Sequence, residues 1–392
     1  MQTLLLIIII IVFSGLIMKY LWNRITLLIG ALALTHNVLA APFIVEDVSG
    51  RKVEIKSEVK RVILGEGRQI YLLAAFDTDA PFKRVVGWRD DLPKADFDSY
   101  QIYAKKYPQI TALPTFGGAK DGSFNVEQAL TLKPDLVLMN LESKAAIDEG
   151  KLIEKLDRLG IPVVFIDFRE KPFENAEKSI HILGQLLNKP ERAKEIIDFR
   201  QQQIDLVINR LKDYHGPRPK VMIDRAGGYD DECCMSFGNE NFGRMVEVAG
   251  GDNIAKNLIP GTFGTLNPEQ IISARPDVVV VTGANWKNYN TANGWVGVGP
   301  GADLTVARQR LQALMQRSAF KTLPVASNGN AHAIWHQFYD SPYQFVAIQA
   351  LAKWMHPDLF KDIDPDATFR TFHQRFLPVD YQPGYWVTLP AK

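Results

Sequence analysis

The chain has 392 residues, 46% hydrophobic and 23% charged, with 45 basic residues against 44 acidic ones. This is an ordinary globular composition, long enough for two cores, and it excludes disordered and fibrous classes. The near-neutral balance gives no general attraction to nucleic acid or to an anionic membrane.

The first forty residues contain no acid. From Met18 they read as a secretory leader, with Lys19 and Arg24 as the basic region, ITLLIGALAL as the apolar one and Val38-Leu39-Ala40 as the cleavage site. An apolar run from Leu4 to Ile17 precedes this leader, which is complete without it; the run is also short for a membrane span. Translation is therefore expected to begin at Met18, the alternative being an N-terminal anchor. Cleavage after Ala40 leaves 43 basic and 44 acidic residues, a net charge of −1. No cysteine stands at the leader boundary to carry a lipid. The exported chain is expected free in a Gram-negative periplasm.

The mature chain opens on a hairpin-like stretch, PFIVEDVSGRKVEI, with a Ser-Gly turn. Strands and helical segments then alternate. In the first half the strands are RVILG from Arg61, RVVGW from Arg84, PDLVLM from Pro134 and PVVFID from Pro162. Residues 173–214 carry one long helical pattern, broken only near Asn188-Lys189-Pro190, with an amphipathic stripe through Ile196, Ile204, Val207 and Leu211. In the second half the strands are KVMID from Lys220, PDVVVV from Pro276 and AHAIW from Ala331. The leader would thus occupy 1–40, an N-terminal lobe 41–172, connecting helices 173–214 and a C-terminal lobe 215–392. A stiff helical connection, unlike a glycine linker, predicts a cleft that changes little on binding.

One phrase occurs in both halves: FNVEQALTLKPDLVLM from Phe124 and LNPEQIISARPDVVVV from Leu266, identical at six of sixteen positions. Asn125 and Asn267 read as helix N-caps, with Gln128 and Gln270 three residues on to return a bond to the cap. Pro134 and Pro276 then bar helical geometry at the preceding residue, and apolar runs follow as buried parallel strands. Two copies at domain-scale spacing point to two similar α/β lobes with a ligand between them.

In open α/β sheets ligands sit beyond the carboxyl ends of the strands. Those positions hold Glu66 and Arg68, then Trp88 and Arg89, Phe168 and Arg169, Arg225 and Tyr229, Trp286, and finally Trp335, His336, Phe338 and Tyr339. Arginine forks grip carboxylate or catecholate oxygens and rings stack on flat faces, so the set suits a bulky planar ligand with negative charge on oxygen. His332 and His336 are four apart, but on a strand, where they do not meet as metal ligands. The adjacent Cys233 and Cys234 staple nothing distant and are assigned no metal. No nucleophile elbow, P-loop or dinucleotide fingerprint is present, which leaves no catalytic residue to name.

The duplicated E-Q-x(5)-P-D phrase, RVILG with RVVGW, FGNENFGRMVEVAGGDNIA and HQFYDSPYQFVAIQALAKWMHPDLFKDID together resemble the periplasmic substrate-binding proteins of iron-siderophore and vitamin B12 ABC importers. The resemblance implies two Rossmann-like α/β lobes joined by a long rigid backbone helix, with the cleft between them. It implies a monomer that is not an enzyme, holds no cofactor, and delivers a ferric siderophore to an inner-membrane permease and its ATPase. Cobalamin or haem is the alternative ligand, and an exported chelatase-like enzyme the alternative class. It also implies permease contacts by an exposed acid on each lobe, for which Glu66 and Glu240 lie in the corresponding regions. The segment 293–317 exceeds what a minimal member needs, and its role stays open.

Overall fold

The computed structural model of the protein describes residues 42–120, 122–230, 233–289 and 294–391. The leader, its start at Met18 and its cleavage site lie outside them. The chain opens with β1 (Phe43–Glu46) and β2 (Lys52–Ile55), an antiparallel hairpin. Its turn is tied by Asp47, whose Oδ1 accepts from the amides of Ser49 and Arg51 at 3.0 and 3.1 Å.

The first half builds a parallel sheet from β3 (Val62–Leu64), β4 (Val85–Arg89), β5 (Thr115–Phe116), β6 (Leu136–Asn140) and β7 (Val163–Ile166), in the order β5-β4-β3-β6-β7. The second sheet holds β8 (Lys220–Asp224), β10 (Asp252–Asn253), β12 (Val278–Gly283), β13 (Ala331–Trp335) and β14 (Trp386–Thr388), in the order β10-β8-β12-β13-β14. Only β14 runs antiparallel. A small ribbon of β9 (Met235–Phe237) and β11 (Phe263–Thr265) lies outside both sheets. All seven strands read from the sequence are present; β5, β9, β10, β11 and β14, two or three residues each, are not among them.

The repeated phrase does the same work in both halves. Its helices are Val126–Thr131 and Pro268–Ala274, capped by Asn125 and Asn267. Lys133 and Arg275, each just before its proline, turn the chain at φ 45° and 49°. The aspartate after the proline then clamps the first strand of its own sheet: Asp135 accepts from the amides of Lys60 and Arg61 at 2.8 and 2.9 Å, and Asp277 from that of Lys220 at 2.8 Å. One expectation fails in the first copy. Gln270 returns its side chain to the Asn267 amide at 2.8 Å, but Gln128 instead donates to the Thr115 carbonyl at 3.1 Å. That bond ties the helix to β5, which the second copy lacks.

The connecting segment is not one helix but two, Pro172–Leu186 and Pro190–Lys212, packed against each other. Asn188 at φ 54° turns the chain between them, and Pro190, which has no amide hydrogen, starts the second helix. The longer helix also packs on Gln344–Met355. Each sheet has its own outer core, but a third core runs on without a break from Val62 and Leu64 through Tyr71, Tyr343 and Phe345 to Val221 and Ile223. A shared core of packed side chains deforms little, which is a stronger reason for a fixed cleft than the connecting helix alone.

Candidate ligand-binding cleft

In the first sheet β3 has β4 on one side and β6 on the other; in the second, β8 lies between β10 and β12. At such switch points the loops after neighbouring strands diverge and leave a crevice. A cavity of about 530 Å³ lies there, lined by residues following β3, β4, β8, β12 and β13.

The wall supplied by the first half is charged: Arg68, Arg89, Asp90, Asp91 and Lys94. Gly67 makes its close packing possible, because a Cβ there would lie 2.6 Å from the Arg89 carbonyl, and its amide donates to Asp91 Oδ1 at 2.5 Å. Arg68 is almost spent on internal partners. Its Nε meets Asp91 at 2.6 Å, and its terminal nitrogens reach Glu66 at 3.1 Å, Asp340 at 3.2 Å and the Tyr339 hydroxyl at 2.8 Å. Below it Arg169 bridges Glu66 at 3.0 Å and Asp340 at 2.5 Å and pairs with Glu142.

Burial would raise Glu66, but the guanidiniums of Arg169, Arg68 and Arg89 outweigh it and hold the carboxyl below its usual range. Asp340 is pushed up to about 6 by burial, with Arg169 and Arg68 only partly opposing. Glu66, Asp91 and Asp340 all crowd Arg68, and three acids on one guanidinium cannot all ionise as easily as one would.

The opposite wall is aromatic. Tyr229 and Trp286 meet edge to face at 5.3 Å, Trp286 and His336 at 5.4 Å, and His336 and Tyr339 lie 4.4 Å apart. Gly228, at φ +80°, lets this wall close up, since a side chain there would strike the Gly294 carbonyl. His336 Nδ1 shares a 2.8 Å bond with Thr282 Oγ1, and burial, with Arg225, Arg68 and Arg169 nearby, keeps the ring neutral. Arg225 stands apart from the other arginines. Its guanidinium lies over the rings of Phe263 and Phe237 at 4.3 and 5.9 Å, its Nε has no hydrogen-bond partner, and among the described residues it has no ion pair. Burial lowers its pKa, and repulsion from Arg169 and Arg68 adds to that.

Seven of the residues singled out by strand-end position therefore line one cavity: Arg68, Arg89, Arg225, Tyr229, Trp286, His336 and Tyr339. Three do not. Trp88 is 2% exposed and packs on Phe82, while Trp335, also 2% exposed, packs among Tyr71, Phe338 and Tyr385. Arg169 is buried in the ion network beneath the cavity. Strand alternation explains Trp88, because it and Arg89 are neighbours on β4 and face opposite sides, so Arg89 faces the cavity where Trp88 turns away; Trp335 ends β13, and His336 begins the short helical turn His336–Asp340 that follows it.

Glu66 is corrected as a permease contact: at 3% exposed it is sealed under Arg68 and Arg169. Glu240 is partly exposed, its carboxyl raised by burial and by Glu174. Asp90, Asp91, Lys94, Asn288, Tyr289 and Gln337 also line the cavity and were not singled out. Asp91 is 6% exposed, held by Arg68.

The two lobes are tied at the cavity floor. Asn241 donates to the carbonyls of Arg169 and Tyr339, both at 2.7 Å, Gln337 to that of Ala95 at 2.7 Å, and Tyr343 to that of Tyr71 at 2.9 Å. Away from the cavity, Cys233 and Cys234 are disulfide-bonded to each other, and His332 stacks on Trp354 at 4.3 Å.

The chain matches the periplasmic binding protein family over residues 90–331. Among solved structures, the TroA-like periplasmic binding protein FepB from Veillonella parvula aligns over 89% of this chain and 100% of its own, at 27% identity and a TM-score of 0.81. The molybdate-binding protein MolA of Haemophilus influenzae is 23% identical over 367 residues, spanning 87% of this chain and 92% of that protein. A vitamin B12-binding protein of Yersinia pestis is 28% identical over 201 residues, 50% of this chain and 65% of that one.

Proposed function

The chain belongs to the periplasmic binding protein family, and on that premise we propose that it captures an anionic metal chelate of the ferric-siderophore class for an ABC importer. The chelate sits between the lobes and is handed to an inner-membrane permease driven by its ATPase. The protein works as a free periplasmic monomer and performs no chemistry on its cargo.

The observation that supports this reading is Arg225. A guanidinium at the cavity with no carboxylate partner among the described residues is costly unless a ligand supplies the charge. The flanking rings of Tyr229, Trp286 and Tyr339 suit a flat, polarisable chelate. Size argues in the same direction. About 530 Å³ falls within the roughly 300–1,000 Å³ of small-molecule sites and is more than ten times the ~30 Å³ share of one water, so a bare oxyanion would leave most of the space empty.

The charge available is smaller than a count of arginines implies, because Arg68 and Arg169 are already neutralised. That favours a chelate of low net charge. Cobalamin or haem is the second reading, and His336 is the observation in its favour: a neutral imidazole lines the cavity with one nitrogen already engaged by Thr282.

Trp286 reports on occupancy. Tryptophan fluorescence titrated with catecholate, hydroxamate and carboxylate ferric siderophores, with haem and cobalamin alongside, is expected to show saturable quenching by one siderophore class. Saturation by haem or cobalamin alone selects the second reading, and no response to any of them rejects both.

A further inference from the structure

A second cavity, of about 230 Å³, opens where the helices Pro172–Leu186, Pro190–Lys212, Phe242–Val248 and Gln344–Met355 meet. It shares no lining residue with the cleft. Arg200 lines it and is 6% exposed. Its Nε donates to the Pro342 carbonyl at 2.7 Å and a terminal nitrogen to Gln344 Oε1 at 3.0 Å.

Both acceptors are neutral, and among the described residues no carboxylate lies within ion-pair distance of Arg200. Its guanidinium, depressed by burial to about 10, is opposed only by Glu177, which is exposed at the rim of the same cavity and lies beyond ion-pair distance. Arg244, also on the lining, lies over the Phe173 ring at 5.9 Å and likewise has no ion pair among the described residues. The remaining lining is largely apolar: Phe173, Ala176, Ile204, Ile208, Val248 and Ile348.

A buried cation facing only neutral acceptors keeps donors of its five-donor fork unused, and burying a charge is expensive unless a counter-charge is supplied. The planar fork matches a carboxylate in two parallel bonds. The volume equals roughly eight groups of the ~30 Å³ taken by a water, which limits the apolar part to a short chain. We propose that this junction is a second ligand site, for a small amphipathic carboxylate with its headgroup on Arg200 and Arg244 and its chain against Phe173, Ile204, Ile208 and Ile348. A ligand there touches both connecting helices and two helices of the C-terminal half, so it holds the junction closed and stabilises the folded protein by binding it alone.

The probes are hexanoate, hexylamine and hexan-1-ol, titrated calorimetrically into the purified protein, with thermal melts in parallel. Hexanoate is expected to bind saturably and raise Tm, hexan-1-ol to bind at least about tenfold more weakly, and hexylamine not to bind. Arg200→Gln should weaken hexanoate by about tenfold or more. Because Arg200 also anchors Pro342 and Gln344, a second variant is needed. Ile208→Trp, at a position 43% exposed, retains Arg200 while filling the cavity, and should lose hexanoate with Tm unchanged. Arg225→Ala should bind hexanoate as the wild type does. The site is refuted by an absence of saturable hexanoate binding, equal binding of the alcohol, full binding in Ile208→Trp, or loss in Arg225→Ala, which would place the carboxylate in the cleft.

Discussion

Arg68 and Arg225 follow the first strand of their respective sheets, and both line the same cavity, yet they are in opposite electrostatic states. Arg68 is held by Glu66, Asp91 and Asp340. Arg225 has two aromatic rings and no ion pair among the described residues. One arginine belongs to the framework of the cleft, and the other has no counter-charge among the described residues. Strand-end position alone does not distinguish them, because it reports where a side chain begins and not what meets it.

The largest effect should come from breaking the framework. Arg68→Ala leaves Asp91 and Glu66 buried with fewer counter-charges and should cost about 3–5 kcal/mol of stability, seen as a lower urea midpoint at unchanged m. A variant as stable as the wild type would erase the contrast between the two arginines.

Next is Asp224, adjacent to Arg225 yet not paired with it. It is 2% exposed, its Oδ2 lacks a partner, and burial pushes it up to about 7 with only Arg317 opposing. A carboxyl raised above its unfolded value is neutral in both states below about pH 4, and its ionisation disfavours the folded state as pH rises through 7. Stability should fall over that window by at most about 4 kcal/mol. Buried His332, held down to about 3, acts in the opposite sense, its contribution falling as pH drops below 6.5. The relevant quantity is therefore wild type minus Asp224→Asn, measured by chemical denaturation from pH 4 to 8; a flat difference removes the assignment.

Arg225→Ala should leave stability within about 1 kcal/mol and weaken an anionic chelate by about 1.5–3 kcal/mol, as read by fluorescence titration. Unchanged affinity would mean that its charge is not used. The smallest effect is expected of Trp286→Phe, about 0.5–1.5 kcal/mol in affinity from altered ring contact, with most of the ligand-dependent quenching lost.

Much of the fold was legible from patterns internal to short segments. The repeated phrase carries its cap, its proline and its aspartate within sixteen residues, and the structure uses each in turn, apart from the Gln128 bond that β5 diverts. β5, β9, β10, β11 and β14 are too short for an alternation to register. Within the cleft, alternation along β4 could have separated Trp88 from Arg89. Nothing local marks Glu66 as buried. Its partner Arg169 lies 103 residues away, and Asp340, the acid that competes for the same guanidiniums, is farther still.

The sequence by itself determined the α/β alternation, the doubling of the lobe and the ends of the strands at which a ligand would be met, because these depend on periodicity, capping and backbone stereochemistry within a few residues. Only the tertiary structure decided which arginines stay free, which rings join the core, and that one core spans both lobes. Charge neutralisation and burial are properties of neighbours in space, and Asp340 on Arg68, like Pro342 and Gln344 on Arg200, comes from a distant part of the chain.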